Sequence, residues 1–309
     1  MIVPSKNKSW LSLLLHLKGT AISQIKYRLL AVVLISVAVT FVHETYFMEK
    51  PWFSTTPFSL MGLALSIFLG FRNNTSYDRF WEGRKLWGGV VNTSRTITRR
   101  INTLLSDEAL KSHATPLILR TIAYVHSLRM HLRNQWEPES IAEFLPADEL
   151  SALDEELNRP IAILHSLGEE FRTLHRNGHI DTFHLPLLEQ SLEAFTNLQG
   201  GCERIKATPI PFSYNVLLHR IVGVYCLTLP FGLVSITGWI TPLVTAMVAY
   251  AFLGIDAIGE EIEEPFGLDN NDLPLNTIST MIEGNLKQRL AEKLPLPEKK
   301  NNPKTHILD

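Results

Sequence analysis

Residues 221–255 read IVGVYCLTLPFGLVSITGWITPLVTAMVAYAFLGI, a run of 35 residues with no Asp, Glu, Lys, Arg or His. One straight helix of this length would extend about 50 Å at ~1.5 Å per residue. The hydrocarbon core of a bilayer is only about 30 Å thick and takes about 20 residues. The run therefore predicts two membrane-spanning helices. The stretch 238–242, GWITP, supplies the turn between them, and Trp239 suits the level of the lipid headgroups.

Two shorter apolar runs come earlier in the chain, at 29–42 and 57–71. Flanking aromatic residues such as Tyr27 and Trp52 can extend each run into the membrane interface, so we expect them to form the first and second spans. Lys and Arg residues precede the first run and follow the second. The positive-inside rule therefore predicts cytoplasmic termini, and the N-terminus does not have the pattern of a signal peptide.

The overall composition excludes several classes of protein. Of the 309 residues, 45% are hydrophobic and 19% charged, and the mean hydropathy of +0.06 lies between that of a soluble enzyme and that of an embedded transporter. A net charge of −2 gives no basic field for nucleic acid. The two cysteines, Cys202 and Cys226, predict free thiols rather than a disulfide framework.

The remainder of the chain predicts amphipathic helices. Segments such as 120–132, RTIAYVHSLRMHL, place apolar residues at helical spacing, and no strand-like alternation is present. The predicted fold class is an all-α integral membrane protein with four transmembrane helices and a cytosolic helical domain. We expect a cytosolic amphipathic N-terminal segment at 1–28, two spans at 29–75, the helical domain at 76–208, two further spans at 209–256 and a cytosolic C-terminal segment at 257–309, whose end lacks fixed structure.

The second span carries two stripes of side chains. Leu63, Ile67 and Phe71 recur every fourth residue, and a stripe of small residues, 62, 66 and 70, lies one position earlier. Small residues let membrane helices approach closely. A ring of such helices would point the bulky stripe at a common axis as apolar collars, which gate by dewetting. The alternative is an ordinary lipid-facing helix.

Charged residues follow the second and fourth spans. The cations Arg72, Arg79, Arg84 and Lys85 are expected to extend their side chains to the headgroups. After the fourth span, a cluster of acidic residues includes Asp269 and Asp272, which could provide oxygen ligands for a hard cation such as calcium. The cluster lacks the glycine and the closing glutamate of an EF-hand, so a solvated acidic turn is the alternative.

Enzyme motifs are weak in this sequence. His175 and His179 have the spacing of two metal ligands on one helix face, but no HExxH motif includes them and Gly178 between them indicates a loop. No nucleotide-binding or nucleophile motif appears. We therefore predict no catalytic residues, no metal and no cofactor. A membrane-bound helical enzyme that uses the carboxylates of 260–272 with histidines, or a membrane scaffold, are the alternatives.

Three motifs in order resemble those of a bacterial bestrophin homologue. They are ALSIFLGFRNNTSYDRFWEGRKLWG at 64–88, PIPFSY at 209–214 and IGEEIEEPFGLDNNDLPLN at 258–276, and the likeness extends from about residue 25 to 285. The resemblance implies a homopentameric ion channel in the bacterial inner membrane, with an apolar neck and a large cytosolic vestibule. Its expected partners are further copies of the chain, the lipid bilayer and small monovalent ions.

The resemblance also implies roles for individual residues. Leu63, Ile67 and Phe71 match the three neck positions of the family. A cytosolic constriction before a long helix falls at Ile180, with Asp181 as the helix N-cap and Phe183 as the alternative.

The resemblance is less complete at the acidic turn. Animal bestrophins carry consecutive acidic residues that bind calcium there, whereas this chain keeps only Asp269 and Asp272, which predicts weak binding. The neck has no formal charge. Acidic residues facing the vestibule favour sodium and potassium, and a chloride or other anion channel of the same architecture is the alternative.

Overall fold

The computed structural model describes residues 19–46 and 54–290, and these residues are predominantly helical. The helices are α1 Ile22–Thr45, α2 Thr55–Leu104, α3 Asp107–Arg133, α4 Ala147–Ala152, α5 Arg159–Arg176, α6 Leu185–Ala207, α7 Phe212–Thr237, α8 Thr241–Glu263 and α9 Leu275–Lys287. Across these described stretches, β pairing is confined to one bridge between Leu105 and Ile180. The expected unstructured end and most of the expected N-terminal segment lie outside the described residues.

Among the described residues, three helical stretches are long and apolar enough to cross a membrane: Ile22–Thr45, Thr55–Leu104 and Phe212–Glu263. The third is interrupted by a 3₁₀ turn at Gly238–Ile240, which separates α7 from α8. Gly238 has φ +52°, a backbone conformation that side chains with a Cβ rarely adopt. The turn predicted from GWITP is therefore confirmed.

The two helices on either side of this turn form an antiparallel hairpin. His219 of α7 lies 2.8 Å from Asp256 of α8, and Asn215 lies 2.9 Å from Glu263. Both pairs join residues at nearly equal sequence distances from the turn, as an antiparallel arrangement requires.

The described chain divides into two compact units. One, which we call the apolar unit, comprises residues 19–46, 54–80 and 209–264; the other, the amphipathic unit, comprises 81–208 and 265–290. Helix α2 continues without interruption through both the expected boundary at 75/76 and the division at 80/81, since no proline occurs between Pro57 and its end. Its 50 residues extend about 75 Å, far more than one bilayer core.

The core of the apolar unit draws on all four of its helices. Its buried members are Ile25 and Val32 of α1, Leu65 and Leu69 of α2, Val222, Tyr225, Cys226 and Leu229 of α7, and Ala249, Leu253 and Ala257 of α8. Gly62 of α2 permits a close approach here, since a Cβ added to it would lie 2.6 Å from the Tyr225 hydroxyl. One member of the small-residue stripe is therefore used for packing within the chain.

Large aromatic side chains form the core of the amphipathic unit. Trp87, Tyr124, Phe171 and Phe195 are all fully buried. The Tyr124 ring lies 4.7 Å from that of Phe195, and the Tyr124 hydroxyl donates a hydrogen bond to the Phe195 carbonyl. Burial raises the pKa of the Cys202 thiol to about 12, and the carboxylates of Glu203 and Glu82 add to that shift. Both cysteines are free, as predicted, and the fold buries both.

Candidate pore-lining site

The bulky stripe of α2 lies on the exposed face of that helix. The exposed fractions of Leu63, Ile67 and Phe71 are 62%, 50% and 61%. The opposite face of the same helix carries Leu65 and Leu69, which are buried in the core of the apolar unit. The described residues therefore leave at least half of each of these side chains uncovered and available to a pore, to lipid or to another copy.

The small-residue stripe of α2 does not act as one surface. Gly62 packs against Tyr225, as described above. Ser66 is exposed, and its hydroxyl donates to the Gly62 carbonyl at 2.8 Å. Gly70 has open space where a Cβ would lie. The stripe thus contributes one close intrachain approach.

A buried ion pair follows the stripe directly. Arg72 is 3% exposed, and its Nη1 donates to Asp256 Oδ1 at 2.6 Å. Its expected extension to the headgroups is therefore wrong: the guanidinium faces the core of its own unit, because a carboxylate of α8 is placed there to receive it. Arg84 and Lys85 are exposed, whereas Arg79 is partly buried and donates from Nε to the Glu263 carbonyl.

A second acidic residue, Glu263, secures the ends of the α7–α8 hairpin. One of its carboxylate oxygens accepts from the backbone N–H of Ile210 at 3.0 Å, and the other accepts from the Asn215 amide at 2.9 Å. Sequence reasoning assigned no role to Asp256 and considered Glu263 only as one of the acidic residues of 260–272 that could bind a cation. The sequence did contain a signal for the ion pair. Asp256 directly follows the fourth apolar run and Arg72 directly follows the second, so the two opposite charges can meet at the same end of the spans.

The loop before α6 exposes Ile180 and Phe183 to very different extents. Ile180 is 2% exposed and forms the isolated bridge with Leu105, whereas Phe183 is 85% exposed. In the single chain, Ile180 is therefore covered by its own unit and Phe183 faces outward, and the position of the constriction stays a prediction.

The predicted N-cap before α6 is also displaced. Asp181 accepts from the Phe183 backbone N–H at 2.8 Å, and its carbonyl accepts from the N–H groups of His184 and Leu185. The N-cap position itself belongs to His184, which makes no side-chain capping bond. Asp181 therefore stabilises the turn that precedes the helix and not the first turn of the helix.

The two histidines with metal-like spacing have separate structural partners. Nδ1 of His175 lies 2.9 Å from the Ile180 carbonyl, and Nδ1 of His179 lies 3.0 Å from the Ser106 hydroxyl. Among the residues that the structure describes, no three His, Cys, Asp or Glu side chains are grouped to hold a metal ion. These histidines hold the loop that carries Phe183.

The acidic turn after α8 engages one of its own carboxylates. Asp272 is 3% exposed, and its Oδ2 accepts from the Asp269 backbone N–H at 2.7 Å, while its own N–H donates to the Asp269 carbonyl. Asp269 remains exposed. One of the two predicted calcium ligands thus closes the turn, which leaves a single solvent-facing carboxylate from that pair.

Residues 1–288 match the model of the bacterial and fungal bestrophin proteins. The chain belongs to this bestrophin family. It is 41% identical to a voltage-dependent anion channel-forming protein of Ralstonia nicotianae over 92% of either chain, and 38% identical to one of Escherichia coli K12 over 94% of either chain. A crystal structure of the bacterial bestrophin homologue of Klebsiella pneumoniae is similar with a TM-score of 0.83 and 35% identity, covering 88% of this chain and 100% of the other.

Family membership confirms several of the sequence predictions. The protein is a membrane channel of the bestrophin fold and not an enzyme. The expected preference for sodium and potassium finds no support, because the relatives are named for anions. The anion alternative fits those names better.

Proposed function

We propose that this bestrophin forms a homopentameric channel in the bacterial inner membrane and conducts small anions through an apolar neck. The observation that carries the proposal is the uncharged stripe of α2, which the folded chain leaves exposed while it buries the neighbouring arginine. Similarity to channel-forming relatives over 92 to 94% of the chain supports the ion-conducting role. The chain is oriented with both termini in the cytoplasm, as the distribution of its basic residues favours.

In this proposal Leu63, Ile67 and Phe71 line the neck. Three positions four residues apart rise about 6 Å per step along α2, so five copies give three stacked rings of apolar side chains. Such a constriction passes ions only when it is wetted, and it therefore acts as a gate. The stripe fits this role because the described residues leave at least half of each of its side chains exposed.

Phe183 supplies the second constriction, on the cytosolic side. Its ring is the most exposed apolar side chain of the loop before α6. The bridge at Leu105 and the bonds of His175 and His179 hold the backbone of the loop that carries this ring. A large apolar side chain on a held loop can narrow a passage.

Anions are favoured over cations for two reasons. The relatives carry anion names, and the neck carries no carboxylate that would attract cations. An uncharged apolar neck selects mainly by the cost of stripping water from the ion. We therefore expect weakly hydrated anions such as thiocyanate and nitrate to pass more readily than chloride.

Recording from purified protein in planar bilayers tests the proposal. In asymmetric potassium chloride the reversal potential should approach the chloride equilibrium potential, and a mass measurement should give five subunits. Ile67→Ala should raise conductance or change selectivity, whereas Ile236→Ala, an equally apolar and 70% exposed position on α7, should change neither. A reversal potential at the potassium value, or no current above empty bilayers, would contradict the proposal.

A further inference from the structure

The ion pair next to the neck joins two helices that are distant in sequence. Arg72 of α2 and Asp256 of α8 are separated by 184 positions, and their side chains are 3% and 1% exposed. Nη1 of Arg72 donates to the carboxylate at 2.6 Å and to the backbone carbonyl of the same aspartate at 3.1 Å. The guanidinium is thus held at a single point of α8 by two bonds.

A third helix joins the same carboxylate. Nδ1 of His219, on α7, lies 2.8 Å from the second oxygen of Asp256, and its side chain is 42% exposed. Each oxygen of Asp256 therefore has one partner, and α2, α7 and α8 meet at one buried carboxylate. The imidazole is the member of the cluster that solvent can reach.

The position of Arg72 along α2 makes this cluster important for the neck. Successive residues of an α-helix are about 100° apart around its axis. Since Arg72 directly follows Phe71, a bond that holds Arg72 toward the core also fixes the direction in which Phe71 points. Ile67 and Leu63, one and two turns earlier, follow the same rotation.

We infer that Arg72, Asp256 and His219 form a latch that fixes the rotation of α2, and that protonation of His219 loosens it. The latch residues are positioning residues for the neck, and the inference rests on the proposed function in so far as α2 lines the pore. The latch would make the direction of the neck side chains sensitive to pH, although its three residues lie outside the apolar rings.

The charges around the cluster give the expected sign of the effect. With a neutral imidazole, Asp256 receives one cation. With an imidazolium, two cations share one carboxylate and repel each other, so the hold on Arg72 weakens. Glu263 of α8 lies 4.0 Å from Arg72 Nη2 and is the second acceptor to which the guanidinium can turn.

Other charged groups lie near this end of the unit. Arg79 of α2 donates to the Glu263 backbone and Arg220 follows His219 in α7, while α1 contributes Lys26 and Arg28, both exposed. On α8 itself, Glu260, Glu261 and Glu264 follow Asp256, so the expected sign rests on the repulsion between His219 and Arg72 at their shared carboxylate. We expect the rotation of α2 to be less restricted at low pH.

Thiol labelling measures the rotation without requiring current. In an Ile67→Cys protein, a small water-soluble methanethiosulfonate reports how far position 67 is accessible, and the native cysteines are both buried. Asp256→Asn should change the labelling rate by on the order of 2- to 30-fold, and Asp256→Glu, which keeps the charge, should restore most of the original rate. Equal rates in all three proteins would overturn the latch.

A pH profile separates positioning from mere stabilisation. The labelling rate of Ile67→Cys should change as the pH is lowered and His219 takes up a proton. Each profile is first corrected for the ionisation of the labelled thiol at position 67, which by itself changes the rate with pH. After that correction, His219→Gln should flatten the profile. His165→Gln, an exposed histidine of α5, is the matched control and should leave it unchanged.

The outcomes distinguish the latch from the channel proposal. A profile that His219→Gln leaves unaltered would refute the proton-sensitive latch even in a protein that conducts normally. Absence of current from the wild-type protein would refute the proposed function, whereas the labelling rates would still decide whether the cluster sets the rotation of α2.

Discussion

The two units of the chain both bury an apolar core but differ in what they leave exposed. The apolar unit leaves Leu63 and Ile67 exposed and buries the ion pair of Arg72 and Asp256. The amphipathic unit buries Phe171 and Trp87 completely and exposes most of its charged side chains. This difference is expected for a unit that is surrounded by lipid or by other copies of the chain. Exposed apolar side chains cost little free energy in such surroundings, whereas a buried charge needs an oppositely charged partner.

Removal of a core aromatic from the amphipathic unit should have the largest effect. Phe171→Ala takes away a fully buried ring and should lower the free energy of unfolding by about 3 to 5 kcal/mol. Phe183→Ala removes the same ring at an 85% exposed position and should cost little stability. Thermal unfolding in detergent checks both. Equal losses would mean that apolar burial does not hold this unit together.

Removal of the buried cation tests the apolar unit. Arg72→Leu leaves Asp256 buried without its main partner and should lower the free energy of unfolding by about 3 kcal/mol. The exposed Arg84→Leu, on the same helix, is the control and should change stability by less than about 0.5 kcal/mol. Equal unfolding midpoints for the two variants would contradict the conclusion that the buried pair of Arg72 and Asp256 stabilises the apolar unit.

A smaller effect is expected where the amphipathic unit itself buries charge. Glu283 of α9 lies 2.8 Å from Lys287 and 3.1 Å from His126, and all three side chains are buried. Glu283→Gln should lower the free energy of unfolding by about 2 kcal/mol, because Lys287 then keeps only Glu143. Glu155→Gln, at an exposed position, should be neutral. If Glu283→Gln is equally neutral, the network does not stabilise the unit.

The smallest effect is the pH dependence of that network. Burial alone would raise the pKa of Glu283, but hydrogen bonds from His126 and Lys287 outweigh it and hold the pKa below the usual 4.5. Burial would lower the pKa of Lys287, and its bonds to Glu283 and Glu143 instead raise it above 10.5.

The sign of the pH effect follows from these directions. The contribution of Glu283 is fully present above about pH 4.5 and is lost as the pH falls through its folded-state value. The contribution of Lys287 is present below about pH 10.5 and is lost above its raised value. Unfolding midpoints measured from pH 3 to 6 should fall more steeply at the acid end for the wild type than for Glu283→Gln. Parallel curves would exclude Glu283 as the titrating group.

The sequence by itself determined those features that depend on neighbours along the chain. Helical periodicity, the break at Gly238 and the stripe of Leu63, Ile67 and Phe71 are local patterns, because one turn of helix decides which side chains share a face. The motifs at 64–88 and 258–276 likewise indicated the bestrophin family, which the comparisons confirm.

Tertiary structure decided which of those side chains are covered. Arg72 looked like an interfacial cation until Asp256, 184 positions away, was placed beside it. Ile180 and Phe183 are three residues apart and both apolar, and only the pairing of their loop with Leu105 buries one and exposes the other. The physical reason is that burial and ion pairing depend on partners brought close by the fold, and a linear pattern carries no record of those partners.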